Sequence, residues 1–443
     1  MLKRLYARWM YDWETRLTTR DQNRIVRPLE WGFNWLMPYL HSIGLDAEAA
    51  RIEQRPATGE NAQPDAQAEA KALMRAVNEA ILADSDQFFG YRRPTDFRLE
   101  TRAPQLFPTN VRPETLRRAA QMEQRAAEGK LATAQFLRFT SPVRTPHPEN
   151  DQVNARWFPA EPKPGRPRQA MIVLPQLNAD ALSHNALCSI FNRFGVSALR
   201  LSKPFHDIRR PAELERADYA VSANIGRTLA ATRQAVVDIR CCLDWLESQG
   251  CEQFGVLGTS LGSCYAFLAS AHDARLRVNA FNHASAAFGD VVWTGQSTRH
   301  IRQGLEDAGL AQQDLRSLWA GISPMHYYGQ FASHSRGEAA MRSAKRTLLI
   351  YARYDLTFPL EYSLEVLRSF DEHGIDFERR ELPCGHYTTG ETPFQYIDGW
   401  HLGSFVYRAF RDLAAEAQNR QTPRSVADPN QAEATLHEGR KSA

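Results

Sequence analysis

The stretch Gly258-Thr259-Ser260-Leu261-Gly262 decides how the rest of the chain is interpreted. Residues 253–257 before it form a short apolar run typical of a buried strand, and residues 263–271 after it are small and compatible with a helix. A tight turn between a strand and a helix exposes a serine hydroxyl at its apex. The two glycines lack Cβ, so strand and helix can approach closely while the serine adopts a strained backbone conformation. The pattern predicts that Ser260 is a nucleophile, and the alternative is a structural Gly-Ser turn.

Two residues further along the chain are candidates for the partners of this serine. A nucleophilic serine needs a general base and a group that orients the base. Asp355 follows a strand-like run at residues 346–353, and His386 follows a second run at 377–382. Taken singly, Asp355 is equally well a loop or helix-capping aspartate, and His386 is equally well a turn histidine. The order serine, acid, histidine predicts that the three act together as a catalytic triad.

Strand-like and helical runs alternate on both sides of the serine turn. Strands are predicted at residues 169–175 and 195–201, and a long amphipathic helix at 228–249. Such alternation favours a parallel sheet covered by helices on both faces. Residues 131–139 and 154–159 are predicted as two antiparallel edge strands in front of it.

Residues from about 130 to 415 resemble the α/β-hydrolase superfamily in the order of these elements and of the three candidate residues. The resemblance implies an α/β-hydrolase fold with a mostly parallel, doubly covered sheet. It also implies an oxyanion hole made by the backbone N–H of Leu261 and by that of Gln176 or Leu177. The loop at 176–177 has no His-Gly-Gly sequence, so the second donor stays open. The segment from Pro204 to Pro211 resembles, more narrowly, the α/β-hydrolase-domain-containing-18 group.

Outside the core we predict three further parts of the chain. Residues 1–129 form a helical N-terminal extension that contains a polar linker or helix lead-in at 54–68, and residues 130–417 form the hydrolase domain. A helical cap insertion is expected at about 288–341, where apolar residues would wall the serine pocket; simple scaffold packing is the alternative. His283, His300 and His326 are interpreted as structural. Residues 418–443 are polar and are predicted to be a disordered tail.

The first 41 residues combine tryptophan and tyrosine rings with arginines. A basic, aromatic, amphipathic stretch can lie on a membrane surface as a peripheral contact. The other interpretation is a helical arm whose rings pack on the hydrolase domain. Acidic residues such as Asp12 and Glu14 dilute the positive charge, so packing is favoured over membrane contact.

Composition excludes several classes of protein. The net charge is +3, from 54 basic and 51 acidic residues, and this near-balance argues against a nucleic-acid partner. No apolar run is long enough to span a membrane, and the N-terminus does not resemble a secretory signal. The six cysteines are spaced neither for zinc nor for a disulfide framework, so we expect reduced thiols and a cytoplasmic location. Cys384, two residues before His386, is a rival nucleophile that is not favoured.

The sequence thus predicts a serine hydrolase that cleaves carboxylic esters with a small or medium apolar acyl group through an acyl-enzyme. It would need no metal and no organic cofactor, and its partner would be the small-molecule ester; the oligomeric state stays open. A peptidase or an acyltransferase could use the same triad. A non-catalytic binding protein with the hydrolase fold is the alternative of another class.

Overall fold

A single mixed sheet organises the part of the chain that this computed structural model describes, namely residues 1–54, 64–335 and 344–421. Its spatial order is β1-β2-β3-β5-β4-β6-β7-β8-β9. The strands are β1 (Arg98–Arg102), β2 (Ala134–Thr140), β3 (Gln152–Phe158), β4 (Gln169–Leu174), β5 (Val196–Ser202), β6 (Gln253–Thr259), β7 (Leu276–Asn282), β8 (Arg346–Ala352) and β9 (Glu378–Leu382).

Helices precede the sheet, cover both of its faces and fill the connection between β7 and β8. They are α1 (Leu2–Thr19), α2 (Met37–Ser42), α3 (Asp46–Glu53), α4 (Pro64–Ala83), α5 (Ser85–Phe88), α6 (Pro113–Ala127), α7 (Pro148–Asp151), α8 (Asn185–Phe194), α9 (Ile225–Ser248), α10 (Leu261–His272), α11 (Phe288–Thr294), α12 (Arg299–Glu306), α13 (Gln312–Leu318), α14 (Tyr328–Ser333), α15 (Leu360–Glu372) and α16 (Phe394–Gln421). None of the helices in the described ranges has both the length and the apolar character needed to cross a bilayer.

The six strands from β4 to β9 are parallel, whereas β1, β2 and β3 are antiparallel to their neighbours. The chain leaves β4 to form β5 on one side, and β6 then pairs with β4 on the other side. In open α/β sheets, ligands bind outside the carboxyl ends of the strands at such a point of reversal. This strand order, with Ser260 directly after β6, is that of the α/β-hydrolase fold, and the predicted fold class is confirmed.

The register of the parallel strands brings four chain segments to one edge of the sheet. Leu174 at the end of β4 pairs with Gly258, and Thr259 at the end of β6 pairs with Asn282. Asn282 in turn pairs with Ile350 of β8, and Ala352 pairs with Leu382 at the end of β9. The loops that follow β4, β6, β8 and β9 therefore meet.

The N-terminal extension contributes a strand as well as helices. β1 pairs antiparallel with β2, so the sheet begins inside residues 1–129. Its sequence, Arg-Leu-Glu-Thr-Arg, has little apolar character, and the strand lies at the outer edge with mostly exposed side chains. An edge strand needs no apolar face. The sequence of β1 therefore lacks the apolar pattern from which a strand is predicted.

The same extension covers α9, which is buried along nearly its whole length rather than on one face alone. Trp31 and Phe33 lie in the main apolar core. A Cβ at Gly226 of α9 would lie 2.0 Å from the carbonyl oxygen of Gly32. Two backbones therefore touch at this point, and Trp31 and Phe33 pack on the main apolar core.

Three predicted segments lie partly outside the described residues. The linker at 54–68 falls mostly on residues 55–63, and α4 begins at its end. The segment predicted as a cap contains helices α11 to α14, and residues 336–343 at its end are not described. The predicted tail starts inside a helix, because α16 continues to Gln421; residues 422–443 are outside the described part.

Candidate active site

The backbone of Ser260 has an unusual conformation, with φ of 57° and ψ of −122°. Positive φ is uncommon for a residue with a Cβ and stores strain. The turn is held because the Ser260 N–H donates to the carbonyl of Asn282 at 2.8 Å and the Ser263 hydroxyl donates to the Ser260 carbonyl at 2.6 Å. These contacts point the Ser260 side chain away from the sheet, at the carboxyl end of β6.

Two glycines make this turn sterically possible. A Cβ at Gly258 would lie 2.1 Å from the carbonyl oxygen of Gly262. A Cβ at Gly262 would lie 2.3 Å from the carbonyl oxygen of Leu174. Strand β6, helix α10 and the end of β4 therefore approach more closely than any side chain would permit.

The structure brings the three residues predicted from the sequence together. The Nε2 of His386 is 2.9 Å from the Oγ of Ser260, and its Nδ1 is 2.8 Å from Oδ2 of Asp355. The other carboxylate oxygen of Asp355 accepts the backbone N–H groups of Thr357 at 2.7 Å and Phe358 at 2.6 Å. The carboxylate is thus fixed on one side by its own loop and faces the imidazole on the other.

Electrostatics link the acid and the histidine. Burial alone would raise the pKa of the Asp355 carboxyl, but the neighbouring His386 and His283 outweigh it, and the pKa is well below its usual value. Burial would lower the pKa of His386, whereas the Asp355 carboxylate raises it, and the net pKa lies above 6.5. Asp355 therefore favours a positive charge on the imidazole, which is the charge that a general base acquires.

Two aromatic rings surround His386. The ring of Phe358 stacks on it with centroids 5.1 Å apart and planes 10° apart, and the ring of His283 lies 4.6 Å away. The Nδ1 of His283 is 3.2 Å from Oδ2 of Asp355. Burial, followed by the charge of His386, lowers the pKa of His283 and favours its neutral form. The sequence interpretation treated His283 as structural and did not place it against the acid; its position after β7 is the signal that could have done so.

The loop after β4 lies beside Ser260 because Leu174 is paired with Gly258. Lys203 is buried beneath this loop, and its Nζ donates to the carbonyl of Gln176 at 3.0 Å. The N–H of Asn178 donates to His206 Nε2 at 3.2 Å. Within the described residues, the N–H groups of Gln176 and Leu177 have no protein acceptor.

Leu261 is the first residue of α10, so its N–H has no partner within the helix. The N–H groups of Gln176, Leu177 and Leu261 thus belong to the two loops that meet at the carboxyl ends of β4 and β6, and their role as an oxyanion hole stays a prediction. Which of Gln176 and Leu177 is the second donor stays a prediction.

Ser260 opens onto a cavity of about 1270 Å³. The segment between β7 and β8 contributes apolar side chains, including Phe288, Val292 and Ile301. The N-terminal extension and the start of α6 contribute charged side chains, including Arg20 and Arg112. The wall is therefore apolar on one side and charged on another, whereas the sequence predicted apolar residues alone.

Three side chains of this site are of the types that bind metal ions. The ligand atoms of His283, Asp355 and His386 lie within 4.8 Å of one another, which is close enough to hold a cation. The contacts of His386 and His283 with Asp355 already account for this clustering. A second group, His147 with Glu149 and Glu213, lies at the surface, where its two carboxylates are exposed.

Cys384 does not reach the cavity. Its side chain is fully buried, and its Sγ lies 3.3 Å from the hydroxyl of Thr389. Burial raises the pKa of this thiol to about 12. Since the thiolate is the reactive form, the geometry and the pKa both argue against Cys384 as the nucleophile.

Comparison with known proteins gives structural neighbours only; no family model and no curated protein matches the chain. The chain is similar to an acetyl xylan esterase from Paenibacillus sp. R4, with 12% identity and a TM-score of 0.48 over 80% of this chain and 97% of the other. It is similar to an esterase of Pyrococcus furiosus, with 13% identity and a TM-score of 0.42 over 72% and 99%.

A third similar structure is the acylaminoacyl peptidase of Pyrococcus horikoshii, with 13% identity and a TM-score of 0.43 over 63% of this chain and 44% of the peptidase. The chain thus spans less than half the length of that peptidase. The α/β-hydrolase fold of this chain rests on its own strand order and serine turn. The narrower resemblance to the α/β-hydrolase-domain-containing-18 group has no support from these comparisons.

Proposed function

We propose that this protein is a serine hydrolase that cleaves carboxylic esters through an acyl-enzyme. The observation that carries the proposal is the chain of contacts from Asp355 through His386 to Ser260, at 2.8 and 2.9 Å. A nucleophile, a base and an acid in this order of contact are what acyl transfer requires. The strained, glycine-flanked turn supports the same role, since backbone strain persists where the surrounding structure enforces it.

In the first half of the proposed reaction, the Ser260 oxygen attacks the ester carbonyl while His386 Nε2 takes the hydroxyl proton. The tetrahedral intermediate then collapses, and the histidine gives this proton to the departing alcohol. In the second half, His386 activates water, which attacks the acyl-enzyme and releases the acid and the free serine. Asp355 stays ionised throughout and stabilises the imidazolium.

The negative charge of the intermediate forms on the former carbonyl oxygen. We propose that the N–H of Leu261 and one N–H of the loop after β4 donate to it. A donor of this kind typically contributes about 3 kcal/mol to the transition state. Lys203 supports this loop through its bond to the Gln176 carbonyl, and His206 supports it by accepting the N–H of Asn178, so residues on both sides of Pro204 hold the loop of the second donor.

The substrate we favour is an ester with a small or medium apolar acyl group. The apolar wall around Phe288 and Val292 supports an apolar acyl chain, and the helices of residues 288–333 are proposed as the cap that covers it. The charged wall near Arg20 and Arg112 is suited to a polar leaving group. A peptidase or an acyltransferase uses the same residues: a peptidase differs in its leaving group, which is an amine, and an acyltransferase differs in the acceptor that attacks the acyl-enzyme.

A fluorophosphonate probe tests the proposal without knowledge of the substrate, because it labels only an activated nucleophile. Wild type is expected to be labelled and to hydrolyse p-nitrophenyl butyrate, and Ser260→Ala is expected to lose both by several orders of magnitude. Ser285→Ala is the matched control, since Ser285 lines the same cavity. Cys384→Ala should also behave as wild type.

Labelling that survives in Ser260→Ala would refute the assignment of the nucleophile. An intact fold without labelling or turnover in wild type would favour a binding protein. Faster hydrolysis of an aminoacyl anilide than of the ester would favour the peptidase.

We also propose a cytoplasmic location, since the six cysteines are free thiols and such thiols persist in reducing compartments. Protein isolated from its own cells without reductant should show six titratable thiols after denaturation. Fewer would place it in an oxidising compartment.

A further inference from the structure

The N-terminal helix α1 carries a carboxylate into the loop that holds His386. Glu14 is fully buried. Its Oε1 accepts the backbone N–H of Tyr387 at 2.8 Å, and its Oε2 accepts that of Thr388 at 2.9 Å. These are the two residues that directly follow the histidine, and they lie more than 370 positions from Glu14 in the sequence.

The residue before the histidine completes the fit. A Cβ at Gly385 would lie 2.4 Å from Oε2 of Glu14, so only glycine lets the carboxylate approach this closely. The Gly385 N–H donates to the hydroxyl of Thr388 at 2.6 Å. One carboxylate thus contacts the loop on both sides of His386.

The neighbours of Glu14 on α1 show that its side chain is held in place. Met10 and Thr18, one turn before and after it, are also fully buried, as expected for positions four residues apart on one helix face. Thr388 donates its hydroxyl to Met10 Sδ at 3.5 Å, and Thr18 donates to the Gln296 side chain at 2.9 Å. The carboxylate therefore has little freedom to leave the loop.

An apolar residue would anchor the helix at lower cost, because burial of a carboxylate is unfavourable unless hydrogen bonds and charges compensate it. Burial raises the pKa of Glu14, and the two backbone N–H groups offset this in part. The ionisable groups facing Glu14 are Asp355, His386 and the Cys384 thiol. Asp355, Glu14 and His283 are those that face His386.

We propose that Glu14 is a positioning residue for the catalytic histidine. Its carboxylate fixes the backbone at residues 385–388, so that His386 keeps Nδ1 on Asp355 and Nε2 on Ser260 at the same time. Its negative charge also adds to that of Asp355 in stabilising the imidazolium that forms when the serine is deprotonated. This inference rests on the proposed function, because it presumes that His386 is the base.

The test compares three variants in the full-length protein with p-nitrophenyl butyrate as the substrate. In Glu14→Gln the side chain keeps its shape but loses its charge. Its amide nitrogen is a hydrogen-bond donor and would face one of the two loop N–H groups, which is also a donor. Glu14→Asp keeps the charge and shortens the side chain. Asp12→Asn is the matched control, since Asp12 is an exposed acidic residue of the same helix.

We expect Glu14→Gln to lower kcat by roughly 10- to 100-fold, as misplacement of a catalytic group by about 1 Å does. KM should change less than about twofold, because Glu14 does not line the cavity. The apparent pKa of kcat/KM should fall, since a negative charge near the imidazole is lost. Asp12→Asn should leave kcat and this pKa unchanged, and Glu14→Asp should keep the pKa while losing part of kcat.

A Glu14→Gln protein with wild-type kcat and pH profile would overturn the inference. A Glu14→Gln protein whose melting temperature is lower but whose kcat and pH profile are unchanged would also overturn it, because Glu14 would then have a structural role only. If Glu14→Gln does not fold, Glu14→Asp decides: an unchanged kcat in that variant rejects the role. Failure of the proposed function is recognised separately, because wild type would then show no turnover, or Ser260→Ala would remain active, whatever Glu14 does.

Discussion

The close approach at Gly262 leads to a prediction that can be worked from the structure. In Gly262→Ala the new Cβ would lie 2.3 Å from the Leu174 carbonyl oxygen and 2.9 Å from that of Pro175. Both are backbone atoms, so no side chain can rotate to relieve the contact. Reaching the 3.0 Å below which real Cβ contacts essentially do not occur requires a shift of about 0.7 Å (3.0 minus 2.3) between α10 and the end of β4. Overpacking of this kind costs about 1–3 kcal/mol of unfolding free energy.

The same shift would separate two parts of the proposed oxyanion hole. Leu261 moves with α10, whereas Gln176 belongs to the loop after β4. A misplacement of about 1 Å can lower the rate by 10²-fold, so we expect kcat/KM for p-nitrophenyl butyrate to fall by roughly that factor. Chemical denaturation followed by circular dichroism measures the stability, and fluorophosphonate labelling measures the reactivity of the serine.

Gly329→Ala provides the control for this experiment. Gly329 lies in helix α14, and a Cβ there would meet nothing within 4 Å. Alanine at such a site should leave activity unchanged and raise the unfolding free energy by about 0.4–1 kcal/mol. If Gly262→Ala matches wild type in both stability and kcat/KM while this control behaves as expected, the tight contact has no role in the turn.

Three further predictions concern the chemistry of the site. Activity should rise with pH through an apparent pKa above 6.5, because the neutral imidazole is the base and Asp355 raises the pKa of His386; a midpoint below 6.5 in a kcat/KM profile would contradict this. Asp355→Asn should keep the loop contacts but lower kcat by up to about 10⁴-fold, since the amide favours the wrong tautomer of the histidine; a loss under tenfold in steady-state assays would argue against its role. Each added acyl methylene should raise kcat/KM a few-fold until the apolar wall is covered, at about 0.8 kcal/mol per methylene; a series of p-nitrophenyl esters from two to twelve carbons measures this, and a flat series would reject an apolar acyl pocket.

The sequence predicted those parts of the molecule whose cause is local. The turn at Ser260 follows from two glycines, a serine and an apolar strand within ten residues. The parallel strands are buried on both faces, so β4, β6 and β8 appear as continuous apolar runs. Their ends were predicted to within about two residues. The chain order of Ser260, Asp355 and His386 then followed from the order of strands.

What the sequence did not predict depends on contacts between distant segments. Strand β1 is polar and is a strand only because β2 offers it an edge. From the sequence, Glu14 is only a charge that dilutes a basic arm, and no local pattern shows that its carboxylate contacts residues 387 and 388. The charged wall of the cavity comes in part from residues of the extension near 20 and 112–118, which pattern analysis could not place against Ser260.

The structure also indicates which experiment distinguishes the two interpretations of the N-terminal arm, namely packing on the hydrolase domain and contact with a membrane surface. Packing and membrane contact need different faces of α1: Met10, Glu14 and Thr18 are buried on the core, while Trp9 on the other side of the helix is 46% exposed. Deletion of the arm would remove both faces at once, and with them the carboxylate that contacts the histidine loop. Loss of activity on deletion would therefore say nothing about membranes. Liposome binding of the intact protein, compared with Trp9→Ser, tests the exposed face while leaving Glu14 in place. Unchanged esterase activity in that variant would show that the buried face is undisturbed.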